Sequence, residues 1–316
     1  MKPFPDMDFG EFHERMMALY NSNHYAAALE LVEWGKSRYT EQQNRFPFWR
    51  ACLLALLNRP GEAVDALESG LAEGAWWGEP MLRHDADLTS LQGNPRFEAV
   101  VDRCREHWHN AQKTSQPGRR LILPASGGMG APLLVVLHGW GGNADQNAEL
   151  WGSAEKSGWV VALLQSSQIC APNGYCWDDK ALAGEEITRQ VMEICAETGC
   201  NAGRIVIGGI SQGGGMCIRV AFQKRIPVCG FLAAAPALMS VDELEVSARA
   251  VSPRGVVIIG SADKRWWDAA HQITTFLEQH SLPHRLEEYA GLGHSLPHDF
   301  RKRLPEWLEF LSGGQD

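Results

Sequence analysis

From residue 120 onward the chain carries seven short β-rich runs, and no other feature narrows the fold as much. They are RLILP (120–124), PLLVVLH (132–138), WVVALLQ (159–165), RIVIGG (204–209), CGFLAAA (229–235), GVVIIG (255–260) and HRLEEY (284–289). Stretches with helical spacing separate most of them, at 143–156, 184–199, 212–225, 266–280 and 297–311. Strands alternating with helices predict a mostly parallel sheet with helices on both faces, an α/β domain.

The first 112 residues contain no such run. Residues 12–39 and 47–73 have apolar positions at helical spacing, broken by polar turns such as NSNH and NRPGE. The two segments match at a shift of 35, pairing Leu19 with Leu54, Ala28 with Ala63, Val32 with Leu67 and Gly35 with Gly70. Small residues at such offsets let helices pack closely, and the region resembles two degenerate tetratricopeptide-type repeats. The tryptophan and glycine-tyrosine signature positions of those repeats are largely absent. A further helix is expected from about Pro95 to Asn110, and the polar stretch HNAQKTSQPGRR (109–120) reads as a linker. The expected organisation is an all-α, repeat-like domain over 1–116 and an α/β domain over 117–316.

Composition excludes several classes of function. The formal net charge is −9, and residues 1–116 hold 12 Lys/Arg against 17 Asp/Glu while the rest hold 17 against 21. Neither part is a basic arm, so no nucleic-acid partner is expected. The longest apolar stretch, IPVCGFLAAAPALM, has 14 residues, too short to span a bilayer. The start does not read as a secretory signal, and a cytoplasmic location with eight reduced cysteines is expected. Cys170 and Cys176 flank the turn APNGY and would be the pair to bridge in an exported protein.

The junction after RIVIGG reads Gly209-Ile210-Ser211-Gln212-Gly213. A serine between a strand and a helix, with glycine two residues to either side, is the G-x-S-x-G nucleophile elbow. The flanking positions must be small for strand and helix to approach, and the helix N-terminus directs N–H groups at developing negative charge. A phosphate cradle fits less well, because no Lys-Ser/Thr follows the glycines. An elbow takes its partners in the order serine, acid, histidine. Asp263 follows GVVIIG, and His294 follows the last strand, 31 residues further on. His294 is then the general base and Asp263 the group that orients it. Asp242 is the alternative acid. Asp268, His271, His284 and His298 read as ordinary helix, strand or surface residues, and HSLPH lacks the glutamate of a zinc motif. The glycine-rich loop LHGWGGN supplies an oxyanion hole from the N–H groups of Trp140 and Gln212.

With LHGWGGN, GISQGG, GSAD and GLGH in this order, residues 117–316 resemble the carboxylesterase/acyl-protein thioesterase branch of the α/β-hydrolase family. The resemblance implies hydrolysis of esters or thioesters through an acyl-serine, with no metal or organic cofactor. PNGYCWDD (172–179) is similar to that family's substrate loop. The chain departs from the family after the acid, where Lys264-Arg265-Trp266-Trp267 replaces a Val-Pro turn, and in its helical front. Aromatic residues gather in the loops: Trp140, Trp151, Tyr175, Trp177, Trp266 and Trp267. Tyr175, Trp177 and Trp266 are the expected substrate contacts, narrowing the acyl pocket toward small soluble esters. The other reading is that these rings pack beneath loops. A serine peptidase of prolyl-oligopeptidase type and an inactive hydrolase scaffold are the alternative functions. The helical front is expected to serve packing, self-association or docking of a protein partner.

Overall fold

A computed structural model of the chain describes residues 4, 6–42, 44–244 and 253–313; the expected domain ends at 1–3 and 314–316 lie outside these. Two compact units emerge. The first runs to Thr114 and also takes in Ile169–Pro172, while the second holds Ser115–Gln168 and the residues from Asn173 onward.

The described part of the first unit is built on helices: α1 (Phe9–Asn21), α2 (Tyr25–Lys36), α3 (Arg45–Leu56), α4 (Pro60–Ala72), α5 (Glu79–His84) and α6 (Pro95–Thr114). Asp8 opens α1 with a capping box, accepting the Glu11 N–H at 2.9 Å while the Glu11 carboxylate accepts its own N–H. Three of the four pairs at the 35-residue shift are packed alike in α2 and α4, while Leu19 is partly exposed and Leu54 buried. Ala28 and Ala63 are fully buried, as are Val32 and Leu67. A Cβ on Gly35 would lie 2.6 Å from the Phe12 ring, and one on Gly70 would lie 2.7 Å from Pro47. The expected linker is mostly helix. Trp108 and Ala111 still face the apolar core, so α6 continues to Thr114 and only residues 115–117 separate it from the first strand.

The second unit contains β1 (Gly118–Ile122), β2 (Leu133–Leu137), α7 (Ala148–Gly152) and β3 (Val160–Gln165). After β4 (Ile169–Ala171), which belongs to the first unit, come β5 (Gly174–Tyr175), α8 (Lys180–Thr198), β6 (Ile205–Ile210) and α9 (Gln212–Gln223). β7 (Val228–Ala234), β8 (Arg254–Gly260), α10 (Trp267–Gln279), β9 (His284–Tyr289) and α11 (Phe300–Leu311) complete it. Seven strands form one sheet in the order β1-β3-β2-β6-β7-β8-β9. Only β1 runs antiparallel to its neighbour.

Alternation along β2 shows why the sheet is covered twice. Leu133, Val135 and Leu137 join a core with α8, α9 and α10, while Leu134 and Val136 join another with α7 and α11. The chain crosses from β3 to β6 over β2, so the strand order reverses there. Open α/β sheets bind ligands at the carboxyl ends of strands at such a reversal. No helix among the described residues is long and apolar enough to cross a membrane.

Candidate active site

Ser211 stands between β6 and α9 with φ 57° and ψ −121°, a left-handed backbone that a non-glycine residue adopts at a cost of about 1–3 kcal/mol. The backbone of β7, of the loop after it and of α9 holds it there. Its N–H donates to the Ala234 carbonyl at 2.9 Å, and its carbonyl accepts from Gly215 at 3.0 Å and Ala237 at 2.9 Å. The flanking glycines are sterically required. A Cβ on Gly209 would lie 2.5 Å from the Gly213 carbonyl carbon, and one on Gly213 would collide with the carbonyls of Leu137 and His138.

The loop after β2 comes close to this turn: a Cβ on Gly139 would sit 3.5 Å from that of Ser211. Gly141 N–H donates to the Tyr175 carbonyl at 2.8 Å, and Gly142 N–H to the Gly139 carbonyl at 3.0 Å. Among the described residues, no hydrogen bond engages the N–H of Trp140 or Gln212.

His138 braces the loop from beneath and was not singled out in the sequence. Its Nδ1 lies 2.8 Å from the Gly139 carbonyl, and its Nε2 lies 3.4 Å from the Ser166 N–H. One neutral tautomer serves both, donating from Nδ1 and accepting at Nε2. Burial pushes its pKa down to about 4, with the Gly139 hydrogen bond opposing, so the ring is uncharged at neutral pH.

Trp177 completes the brace. It is 1% exposed, stacks on His138 at 4.7 Å, and donates its indole N–H to the His138 carbonyl at 2.9 Å. The expectation of Trp177 as a substrate contact therefore gives way to a supporting role, since its ring has no free face. Trp151 is likewise in the core, edge-on to Phe300 at 4.7 Å. Gln212 works through its side chain as well: its amide accepts the Trp177 N–H at 2.8 Å and donates to Asp178 at 2.6 Å. Tyr175 and Trp266 are partly exposed, and the Trp140 ring is 41% exposed.

Asp263 and His294 meet through two joined turns. The Ala262 N–H donates to the Leu292 carbonyl at 3.0 Å, the Gly291 N–H to the Ser261 hydroxyl at 2.9 Å, and the Ser261 N–H to the Tyr289 carbonyl at 2.9 Å. Asp263, 5% exposed, lies 2.6 Å through Oδ2 from His294 Nδ1. The imidazole is open to solvent. Among the described hydrogen bonds there is none between Ser211 and His294, and such bonds often tighten only when substrate binds.

The alternative acid, Asp242, is exposed and accepts a 3.0 Å bond from the Ser240 hydroxyl. Asp268 and His298 are also exposed. His271 is bound to Glu288 at 2.8 Å, and His284 lies within β9. Only one group among the described residues, Cys52, Asp85 and Asp87 of the first unit, brings metal-ligating atoms together, within 4.8 Å of one another. Local bonds account for both carboxylates. Asp85 accepts the Asp87 N–H at 2.9 Å, and Asp87 accepts the Tyr20 hydroxyl at 2.9 Å.

Comparisons with known proteins agree with this architecture. Residues 9–112 match the family model described as A/B hydrolase-like, N-terminal domain. No curated protein sequence matches the chain. An uncharacterized protein from Bacillus cereus ATCC 10987 is similar over 98% of this chain and all of its own, with 22% identity and a TM-score of 0.53. Esterase PE8 is similar over 62% of this chain and 99% of its own, at 19% identity and a TM-score of 0.55. The Bacillus cereus carboxylesterase covers 64% of this chain and 97% of its own, at 16% identity and a TM-score of 0.50. Residues 9–112 thus resemble an A/B hydrolase-like N-terminal domain, and the second unit shares its fold with esterase PE8 and the Bacillus cereus carboxylesterase.

Proposed function

We propose that the protein is a serine hydrolase that cleaves carboxylic esters of small soluble substrates, with thioesters as a further substrate class. The observation that carries this reading is Ser211, held at positive φ between β6 and α9, in one unit with the 2.6 Å Asp263–His294 pair. The strained turn presents the Ser211 hydroxyl outward, at the helix N-terminus.

In this reading His294 takes the hydroxyl proton as Ser211 attacks the ester carbonyl. Asp263 holds the Nδ1–H and stabilises the imidazolium that forms. The unengaged N–H groups of Trp140 and Gln212 donate to the oxyanion, and His138 and Trp177 keep the Trp140 loop in place for it. His294 returns the proton to the leaving alcohol or thiol, and water releases the acyl group by the same steps in reverse. Trp140, Tyr175, Trp266 and Trp267 are the loop aromatics that keep exposed surface to meet an acyl group, and rings of that size favour short chains. Esterase PE8 and the Bacillus carboxylesterase are named for the same chemistry.

The test is turnover of p-nitrophenyl esters of graded acyl length, with Ser211→Ala and Asp242→Asn in parallel. The expected result is hydrolysis of short esters, lost in Ser211→Ala and retained in Asp242→Asn. Cleavage of proline-containing peptides without ester turnover would favour a peptidase, and no turnover of either would favour a scaffold.

A further inference from the structure

A pair of thiols lies in the same unit, at the end of α8. The helix stops at Gly199, whose φ of 67° is the left-handed C-terminal turn that glycine adopts without strain. Its N–H donates back to the Cys195 carbonyl at 3.0 Å. This stop folds the residue after the glycine onto the last turn of the helix, where a contact between the two side chains seals the end. Here both positions are cysteine: Cys195 and Cys200 bring their sulfurs 3.1 Å apart, the Cys200 thiol donating to Cys195. A nonpolar contact would need no thiol at either position. Cys195 is partly exposed, whereas Cys200 is 8% exposed.

We propose that Cys195 and Cys200 form a dithiol modification site that hydrogen peroxide converts to a disulfide. The Cys195 sulfur attacks one peroxide oxygen, the O–O bond breaks, and the departing hydroxide is protonated to water, leaving a sulfenic acid. Cys200 then attacks that sulfur, the S–O bond breaks, the S–S bond forms, and a second water leaves with the Cys200 proton. Two electrons from the sulfurs reduce one peroxide. Closure needs the sulfurs to approach by about 1 Å, to the normal disulfide length of about 2.05 Å. Burial and the neighbouring Cys200 push the Cys195 thiol up, so the thiolate is scarce at neutral pH and oxidation accelerates as pH rises.

The site is remote from Ser211. Gly199 and Asn201 pair with Gly130 and Ala131 ahead of β2, whereas Ser211 follows the far end of β6, a strand of six residues or about 20 Å. The disulfide is therefore expected to fasten the end of α8 while leaving hydrolysis intact.

Trypsin cleavage after Arg189 and Arg204 places both cysteines in one peptide, QVMEICAETGCNAGR. The full-length protein is treated with peroxide at pH 7 and pH 9, alkylated, digested and weighed. The expected product is that peptide lighter by about 2 Da, unalkylated, restored by a reductant, and formed faster at pH 9. In Cys200→Ser the reaction should stop at a sulfenic acid on residue 195, trapped by dimedone. Full alkylation of both cysteines after oxidation of the native protein would overturn the proposal, as would a disulfide to any other cysteine. A sulfenic acid on Cys195 that Cys200 never resolves would overturn it too.

Discussion

The glycines of the first unit and those beside Ser211 both pack without room for a side chain, but they meet different atoms. A Cβ on Gly70 would press on Pro47 and on the Trp77 ring, 2.7 and 2.8 Å away, and one on Gly35 on the Phe12 and Phe46 rings. Those neighbours are side chains, able to shift at a cost in packing. Gly209 and Gly213 meet backbone: each other's chain, and the carbonyls of Leu137 and His138 at the start of the Trp140 loop. Backbone yields only if strand and loop move, so the same residue type governs stability in one unit and the geometry of a site in the other.

The sharpest way to break this division is chemical. Ser211→Ala should lower ester turnover roughly a million-fold with the fold intact, measured as kcat alongside circular dichroism. Asp263→Asn should cost about ten-thousand-fold in kcat with little change in KM, because the imidazole loses the partner that fixes its tautomer. Gly213→Ala tests the backbone half of the comparison and should lower kcat/KM by at least about a hundred-fold through displacement of the elbow against the 138–142 loop. Gly70→Ala tests the other half. It should destabilise the protein by about 1–3 kcal/mol in denaturant titration and leave kcat unchanged. A Gly70→Ala variant that is stable but inactive would erase the distinction.

The last test concerns pH. His138 has its folded pKa depressed to about 4, below the ordinary value of 6.5, because burial disfavours the charged ring. Unfolded chains take up this proton first, so the stability tied to it is fully present above about pH 6.5 and is lost as pH falls toward 4. The loss is about 3 kcal/mol over that window. Denaturant titration of the native protein and His138→Gln at pH 7 and pH 4.5 should show the native protein losing more; equal losses would remove His138 as a neutral brace.

Much of this was legible in the residues. The seven runs coincide with the seven strands of the main sheet to within two residues at either end, and the five inner strands, buried on both faces, are written as largely apolar sequence while the edge strands β1 and β9 carry charged residues. The order of Ser211, Asp263 and His294 was legible because each follows a strand, and the parallel sheet gathers strand ends along one edge. What escaped reading depends on partners distant in sequence. Residues 169–172 are tied to the first unit in this way: Ile169 packs on its core, and bonds run from Trp108 to the Ile169 carbonyl at 2.8 Å, from Gly78 to the Cys170 carbonyl at 3.0 Å and from Asn44 to the Pro172 carbonyl at 3.1 Å. Neither periodicity nor motif encodes such bonds. Trp151 and Trp177 look alike to Trp140 in sequence, and only packing separates the buried rings from the exposed one.

The central claim is that Ser211 is the nucleophile, activated by His294. Its most direct test is stoichiometric labelling with a fluorophosphonate, followed by peptide mass spectrometry of the native protein and His294→Ala. The account predicts one label per chain on Ser211, formed at least about a thousand-fold more slowly in the variant. A label on another residue that accompanies loss of esterase activity, or labelling of Ser211 at the same rate without His294, would contradict it.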